Sequence, residues 1–318
     1  MIKKQIFFAA AVLLAFVFWS KVLGKEPKLE TINLKPFPIQ KADELIICGW
    51  DEVFIIGVSQ EQNGSPKKLW SWKAEDRQEL PEHMRSKFKT TDDCKPVYGL
   101  SKVLITSSSG GVALVDRKTG KVSFYATVAN AHSADVLPRD RIAVAASHAP
   151  GGDRIIVFDL NLPEKELCSY ELPWGHGVVW DEGRQILWAL SGDDIRAYRL
   201  ENWDSESPSL SMFAVIELPE GMGHDFYPIA GTPFLIVTTS HHCWLFDRDK
   251  RSFKLHPDLA EMGKVKCISV NPVTGQLVYV QAEGRNWWTE KLHFLHPDRI
   301  IHMPGEHFYK ARWNVELH

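Results

Sequence analysis

Residues 131–172 read AHSADVL PRD RIAVAAS HAPGGD RIIVFDL NLPEK ELCSYEL. Four runs rich in Val, Ile, Leu and Ala are separated by three clusters of Pro, Gly, Asp, Asn and Lys. The apolar runs suit strands, and the clusters between them suit turns. The strands fall at Ala134–Leu137, Arg141–Ser147, Arg154–Leu160 and Leu167–Leu172. No run is long enough for a helix of ordinary length, so the unit reads as a four-stranded antiparallel sheet.

The unit recurs. Third-strand equivalents are Val112–Asp116, Ile195–Leu200, Cys243–Asp247 and Leu292–Leu295. Asp116, Asp159 and Asp247 close three of these strands, where a tight turn follows. Six short segments open the units: Cys94-Lys95-Pro96-Val97, Ala131-His132-Ser133-Ala134, Gly175-His176-Gly177-Val178, Gly223-His224-Asp225-Phe226, Val265-Lys266-Cys267-Ile268 and Tyr309-Lys310-Ala311-Arg312. Lys or His stands second in each, at intervals of 37 to 48 residues. A period near forty with four strands per repeat is the signature of a β-propeller.

The chain ends complete each other. Leu45–Cys48, Val53–Val58 and Leu69–Trp72 supply three strands without a first, and Tyr309–Val315 supplies a first strand without the other three. Pairing them closes the ring and removes its free edges. The expected fold is therefore all-β, a six-bladed propeller over residues 45–318 closed by its C-terminal strand. A seventh blade would require one unit to split, or residues 25–42 to contribute strands. An insertion at about 75–93 carries Leu80, Met84 and Phe88 at helical spacing after Pro81, which predicts a short helix over the rim, either as a lid or as packing.

Ahead of the ring, Lys3 and Lys4 precede an apolar run from Ile6 to Trp19. This is the pattern of a secretory signal over residues 1–24, followed by a lead-in at 25–44. It predicts an exported, periplasmic or extracellular protein, attached to membrane only where the signal stays uncleaved. A net charge of −3 offers nucleic acid no attraction. The five Cys form no metal-binding spacing. A Cys48–Cys94 bridge is conceivable, and buried small hydrophobes are the plainer reading.

Residues at one place in every blade meet around one axis, so the six Lys and His converge on one mouth. Loops between second and third strands add His148, His241, His242, Arg285 and Trp287. Two chemistries suit such a mouth. In one, His132, His176 and His224 hold a divalent transition metal (Mn, Zn or similar), with Gln281 or Asp225 as an oxygen ligand. In the other, no metal binds and the cations clamp an anion. A Lys or His of lowered pKa is then a general base. The candidate catalytic groups are His176, His224 and Lys310. The candidate ligand-binding groups are Lys95, Lys266, Arg285, Arg312, His148, His242 and Trp287. Trp287 and Trp288 read equally as a sugar-stacking platform or as rim packing. No nucleophile elbow, zincin or nucleotide-binding motif is present.

The strings Leu45-Ile46-Ile47-Cys48-Gly49-Trp50-Asp51, Trp70-Ser71-Trp72-Lys73-Ala74, Asn130-Ala131-His132-Ser133-Ala134, His176-Gly177-Val178-Val179-Trp180-Asp181 and Tyr309-Lys310-Ala311-Arg312-Trp313 resemble a domain-of-unknown-function family of exported bacterial propellers. That family is common in polysaccharide-degrading bacteria, and the resemblance implies no established activity. More distantly, the three-histidine set is similar to that of the oligogalacturonate lyases. Those are seven-bladed propellers in which three His and a Gln hold a metal beside a uronate carboxylate. By that likeness His132, His176, His224 and Gln281 would be the metal ligands. The expected function is binding of an anionic, uronate-like saccharide, with polysaccharide lyase or related carbohydrate-active chemistry if the protein is an enzyme. A non-catalytic ligand-binding or protein-interaction scaffold is the alternative.

Overall fold

Continuous apolar runs such as Ile142–Ala146 require cover on both faces, and a ring of blades supplies it. In the computed structural model, which describes residues 43–62 and 65–317, the third blade shows the pattern. Its strands are β8 (Ala131–Leu137), β9 (Arg141–Ala146), β10 (Arg154–Asp159) and β11 (Glu166–Glu171). Every residue of β9 is buried, whereas the outermost strand β11 is half-exposed. Burial falls outward because inner strands lie between two neighbouring blades and the last strand meets solvent. The expected signal and almost all of the lead-in lie outside the described residues.

Five further four-stranded antiparallel sheets repeat the plan. Blade two holds β4 (Thr91–Val97), β5 (Lys102–Ser107), β6 (Gly111–Asp116) and β7 (Val122–Thr127). Blade four holds β12 (Gly177–Asp181), β13 (Ile186–Leu190), β14 (Asp194–Glu201) and β15 (Ser209–Glu217). Blade five holds β16 (Asp225–Pro228), β17 (Phe234–Thr238), β18 (Cys243–Asp247) and β19 (Ser252–Leu255). Blade six holds β20 (Val265–Val270), β21 (Leu277–Gln281), β22 (Lys291–Leu295) and β23 (Arg299–His302). The protein is thus a six-bladed β-propeller. Blade one joins the chain ends, with β24 (Lys310–Trp313) pairing antiparallel to β1 (Glu44–Gly49), followed by β2 (Glu52–Gln62) and β3 (Ser65–Lys73). Trp313 lies opposite Leu45 and Lys310 opposite Cys48. Closure buries Trp313 with Leu45, Ile47, Phe294 and Phe308.

Turn chemistry follows the residue types. Asp116 accepts the Thr119 N–H at 2.8 Å, Asp159 that of Asn161 at 2.8 Å, and Asp247 those of Asp249 and Lys250 at 3.0 and 3.1 Å. Each is a carboxylate closing the turn after a third strand.

The insertion is shorter and less helical than its spacing predicts. Two 3-10 turns, Ala74–Asp76 and Ser86–Phe88, flank one four-residue helix, α1 (Glu82–Arg85). Leu80, Met84 and Phe88 are nonetheless all buried, against Trp72, Cys94, Val103 and Ile105. The insertion therefore seals the seam between blades one and two. The Arg85 guanidinium braces it internally by donating to the carbonyls of Arg77, Leu80 and Gln78. Cys48 and Cys94 are free and buried in that seam, and burial pushes the Cys48 thiol well up.

Candidate functional site

Antiparallel blades place the loops that precede first strands, and those that join second to third strands, on one face. First strands start at this face and descend the axis. Their register defines what lines it. A β-bulge interrupts β4 between Thr91 and Asp93, β8 between Ala131 and Ser133, and β20 between Val265 and Cys267. The residue inside each bulge is Asp92, His132 and Lys266. A bulge re-aims its extra residue. Four blades share a turn ahead of the first strand: Asn130, Trp174, Met222 and Lys264 all have left-handed backbone, φ between 51° and 65°. Each stands two residues before His132, His176, His224 or Lys266.

The uppermost level of the axis is therefore Asp92, His132, His176, His224, Lys266 and Tyr309. Four of the six expected positions lie at this level. The other two lie deeper. Lys310 stands one residue further along its strand than Tyr309, and Lys95 three residues further than Asp92. By register Lys95 is level with Asp135 of the next blade, just as Asp92 is level with His132.

Adjacent rings of the upper level touch. His132 and His176 pack edge to face with centroids 4.4 Å apart, and His176 and His224 with centroids 5.2 Å apart. His132 Nδ1 lies 3.1 Å from the Asn130 carbonyl, and His176 Nδ1 lies 2.7 Å from that of Trp174. A carbonyl only accepts, so Nδ1 carries the proton in both rings and Nε2 keeps its lone pair. His224 Nε2 faces the Lys266 ammonium at 3.5 Å, and His224 Nδ1 is buried without a partner. Burial, followed by neighbouring positive charge or a backbone bond, shifts each of these groups. The His132 imidazole falls to about 4, and His176 and His224 fall well below the usual histidine range. Burial, with Lys310 and Lys264 nearby, brings the Lys266 amine down to about 8. Burial pushes the Asp92 carboxyl up to about 7, against the bonds from Ser108 and the charge of Lys310.

Beneath this level the axis is plugged by paired charge. Arg312 Nη2 donates to Asp225 Oδ1 at 2.6 Å, and its Nε to Asp93 Oδ1 at 3.2 Å. These partners come from blades one, five and two, so the contacts span the ring. The guanidinium lies 3.8 Å from the Tyr227 ring centroid. Lys310 Nζ sits 3.3 Å from Asp225 Oδ1 and 4.0 Å from Asp93 Oδ2. Lys95 donates to the Val178 carbonyl at 2.7 Å and lies 3.8 Å from Asp135. Three carboxylates thus balance three cations. Although burial opposes it, Arg312 and Lys310 hold Asp93 and Asp225 below the usual carboxylate range. Arg312 is wholly buried and Lys310 nearly so. Both were expected to meet ligand, and in this arrangement both meet Asp instead.

The other expected groups lie on the loops. Arg285 is exposed in the β21–β22 loop. His148 bonds Asp153 at 2.8 Å and stacks on Trp174, with centroids 4.6 Å apart. His242 bonds Glu220 at 2.9 Å. Trp287 stacks on Trp50 at 5.0 Å, and Trp50 stacks on His307 at 4.5 Å. Trp288 meets His307 edge-on at 4.0 Å. A cleft of about 290 Å³ opens beside Trp50, lined by Asp51, Glu75, Glu82, Arg85, Phe88 and Lys89. It lies over the seam of blades one and two, away from the axis.

The histidines do not form a coordination set as placed. Their rings lie edge to face, and Gln281 turns its amide to the Gly263 carbonyl at 2.9 Å. Asp225 is engaged by Arg312. Among the described residues no group of three or more His, Cys, Asp or Glu is arranged to hold a metal ion. What the level offers is hydrogen-bond acceptors at His132 and His176 Nε2 and one ammonium, at Lys266.

Sequence reasoning overlooked Asp92, Asp93 and Asp135, and treated Asp225 only as a ligand. The signal available was the acidic pair at 92–93 inside an apolar strand. Trp174 was passed over because the turn position it shares with Asn130, Met222 and Lys264 holds a different residue type in each blade.

A chain in the crystal structure of a nidogen–laminin complex superposes with a TM-score of 0.58, covering 85% of this chain and 97% of its own, at 13% identity. At that identity the likeness speaks for the fold alone. No curated protein matches the chain. The model of a family of unknown function, DUF6528, matches residues 8–317, and the chain belongs to that family.

Proposed function

We propose that the chain binds an anionic, uronate-like saccharide at this mouth, outside the inner membrane. One observation carries the reading. Lys266 is a half-buried ammonium with no carboxylate in ion-pair distance among the described residues, its polar neighbour being His224 Nε2. A desolvated charge without a counter-ion favours an anion beside it. The plug below leaves no spare cation to compete, because its three are paired. Neutral His132 and His176 would accept hydroxyl protons through Nε2, while a ligand carboxylate would take the Lys266 N–H. A sugar acid supplies both kinds of group.

The amine also gives a pH signature. Its pKa near 8 means the charged form persists at neutral pH and is lost as pH rises through 8. Affinity should be flat below pH 7 and fall up to tenfold per unit above 8. Titration calorimetry with sodium galacturonate, glucuronate and mannuronate tests this. Lys266→Met should weaken binding by ~10- to 100-fold, the worth of a hydrogen bond to a charged group, and abolish the alkaline fall. Absence of binding by all three acids, or equal binding by the variant, overturns the reading. The turnover form of the reading uses Lys266 as a base poised near neutrality. Formation of an unsaturated product, followed by ultraviolet absorbance, separates it from binding alone.

A further inference from the structure

Two groups of exposed and half-buried aromatic rings stand on the same face as the histidine level, and they stand opposite each other. The first comprises Trp50, Trp287, Trp288 and His307, at the seam of blades six and one. The second is Trp174 stacked on His148, at the seam of blades three and four. Contacts between first strands run in sequence around the ring and close from β20 to β24. In a six-membered ring these two seams are diametrically opposed, with the axis between them.

Both groups are built against local preference. Trp50 has φ of 50° and Trp174 φ of 52°, a left-handed backbone that a bulky side chain adopts only at a cost. Trp174 occupies the turn position that Asn130 fills one blade earlier, and Asn is among the residues suited to it. The rings stay partly open, with Trp174 46% exposed and Trp50 and Trp287 each 37%. Left-handed backbone recurs at such turns, and what sets Trp50 and Trp174 apart is a large flat ring left partly open there. Their rings are also held in place. Gly192 admits Trp174, since a Cβ there would lie 3.0 Å from the Trp174 Cβ. Trp174 N–H donates to Asp153 at 2.8 Å, and the same carboxylate holds His148 at 2.8 Å. Trp50 lies against His307 and Trp287, both nearly parallel to it.

We propose that the ligand is an oligosaccharide lying across the mouth, stacking one sugar on the Trp50–Trp287 lip and another on the Trp174–His148 lip, with an acidic sugar over Lys266 between them. This rests on the anion-binding reading of the floor and extends it from a single sugar to a chain with a direction. A flat sugar face suits an exposed aromatic ring, and aromatic surfaces carry large contact area at low entropic cost. Two lips on opposite sides of one charged point fit a linear ligand and leave a monosaccharide in contact with the floor alone.

Calorimetry on the full chain, with galacturonate, glucuronate and mannuronate series of one, three and six residues, tests the proposal. The hexamer should bind at least ~100-fold tighter than the monomer in the preferred series. Trp174→Ala and Trp287→Ala should each cost the hexamer roughly tenfold, the worth of one lost stacking contact, and leave monomer binding unchanged. Trp174→Phe should restore most of the loss. If monomer and hexamer bind equally and both Trp variants are silent, the chain-spanning ligand is overturned, while Lys266-dependent monomer binding leaves the floor reading intact. Equal weakening of monomer and hexamer by the Trp variants overturns it too, because the lips then touch the same sugar as Lys266. If no acid of any length binds, both readings fall together.

Discussion

Asp92 should be a residue that the fold would be more stable without. Its carboxyl is buried at the top of the axis, accepting the Ser108 N–H at 2.5 Å and lying 3.6 Å from His132 Nε2. Burial raises it to about 7, whereas an unfolded Asp titrates near 3.9. Below pH 4 both states are protonated and the group is neutral toward folding. Between 4 and 7 only the unfolded chain ionises, so stability falls with rising pH, and above 7 the loss is complete. Three pH units correspond to a ceiling of about 4 kcal/mol. Asp92→Asn removes that loss and fits the surroundings. Its carbonyl can take the Ser108 N–H, and its amide can donate to the His132 lone pair. Reorganisation of the pocket reduces the gain, so about 1–3 kcal/mol is expected at pH 8, or roughly 2–6 °C in Tm for a domain of this size. Thermal unfolding of both proteins from pH 4 to pH 8 is the assay. The variant should match the natural chain at pH 4 and exceed it increasingly toward pH 8. A Tm difference that is absent at pH 8, or independent of pH, refutes the assignment of a desolvated carboxyl.

The plug and the lip make two further predictions. Arg312→Met leaves the buried Asp93 and Asp225 carboxylates to share Lys310 alone, and breaking a buried pair costs about 3–5 kcal/mol; Tm should drop by roughly 6–10 °C, with partial recovery when Asp225→Asn is added, and an unchanged Tm would contradict the pairing. Gly49→Ala places a Cβ 1.8 Å from the His307 carbonyl, beneath Trp50. It should displace the blade-six loop, lower Tm and change the tryptophan emission of the Trp50–Trp287 stack, whereas a folded variant with unaltered emission would show that the lip does not depend on that close approach.

The fold was legible because its determinants are local. Strand composition, turn Asp residues and a period near forty all lie within single blades, and the orphan strands at the two chain ends announce closure. The height of each axial residue was less legible. His132, His176, His224 and Lys266 share a left-handed turn two residues upstream, so their alignment by eye holds. Lys95 and Lys310 resemble them in type but not in register. Lys95 is level with Asp135 instead, and the place that matches His132 in its blade is held by an Asp, Asp92, so residue type misleads the alignment. The plug was hidden for another reason. Arg312 meets Asp225 from the fifth blade and Asp93 from the second, and neither partner has any sequence relation to it.

That separation into levels has a consequence for how the mouth works. A propeller whose axis stayed open would present Lys95, Lys310 and Arg312 to solvent and to any passing anion. Pairing them with Asp93, Asp135 and Asp225 removes their charge from the field above and fills the passage, so the mouth becomes a cup with a rigid base. The charge left over then resides in the upper level, on Lys266 and, above pH 7, on Asp92. Burial disfavours the charged form of both, and among the described residues neither has a close ion pair of opposite sign to offset it. Native chains keep such violations where they serve a site, and offset them elsewhere in the fold. A ligand that placed an anion on Lys266 would relieve one of the two costs directly, and by mass action it should raise the unfolding temperature of the whole ring as its concentration exceeds Kd.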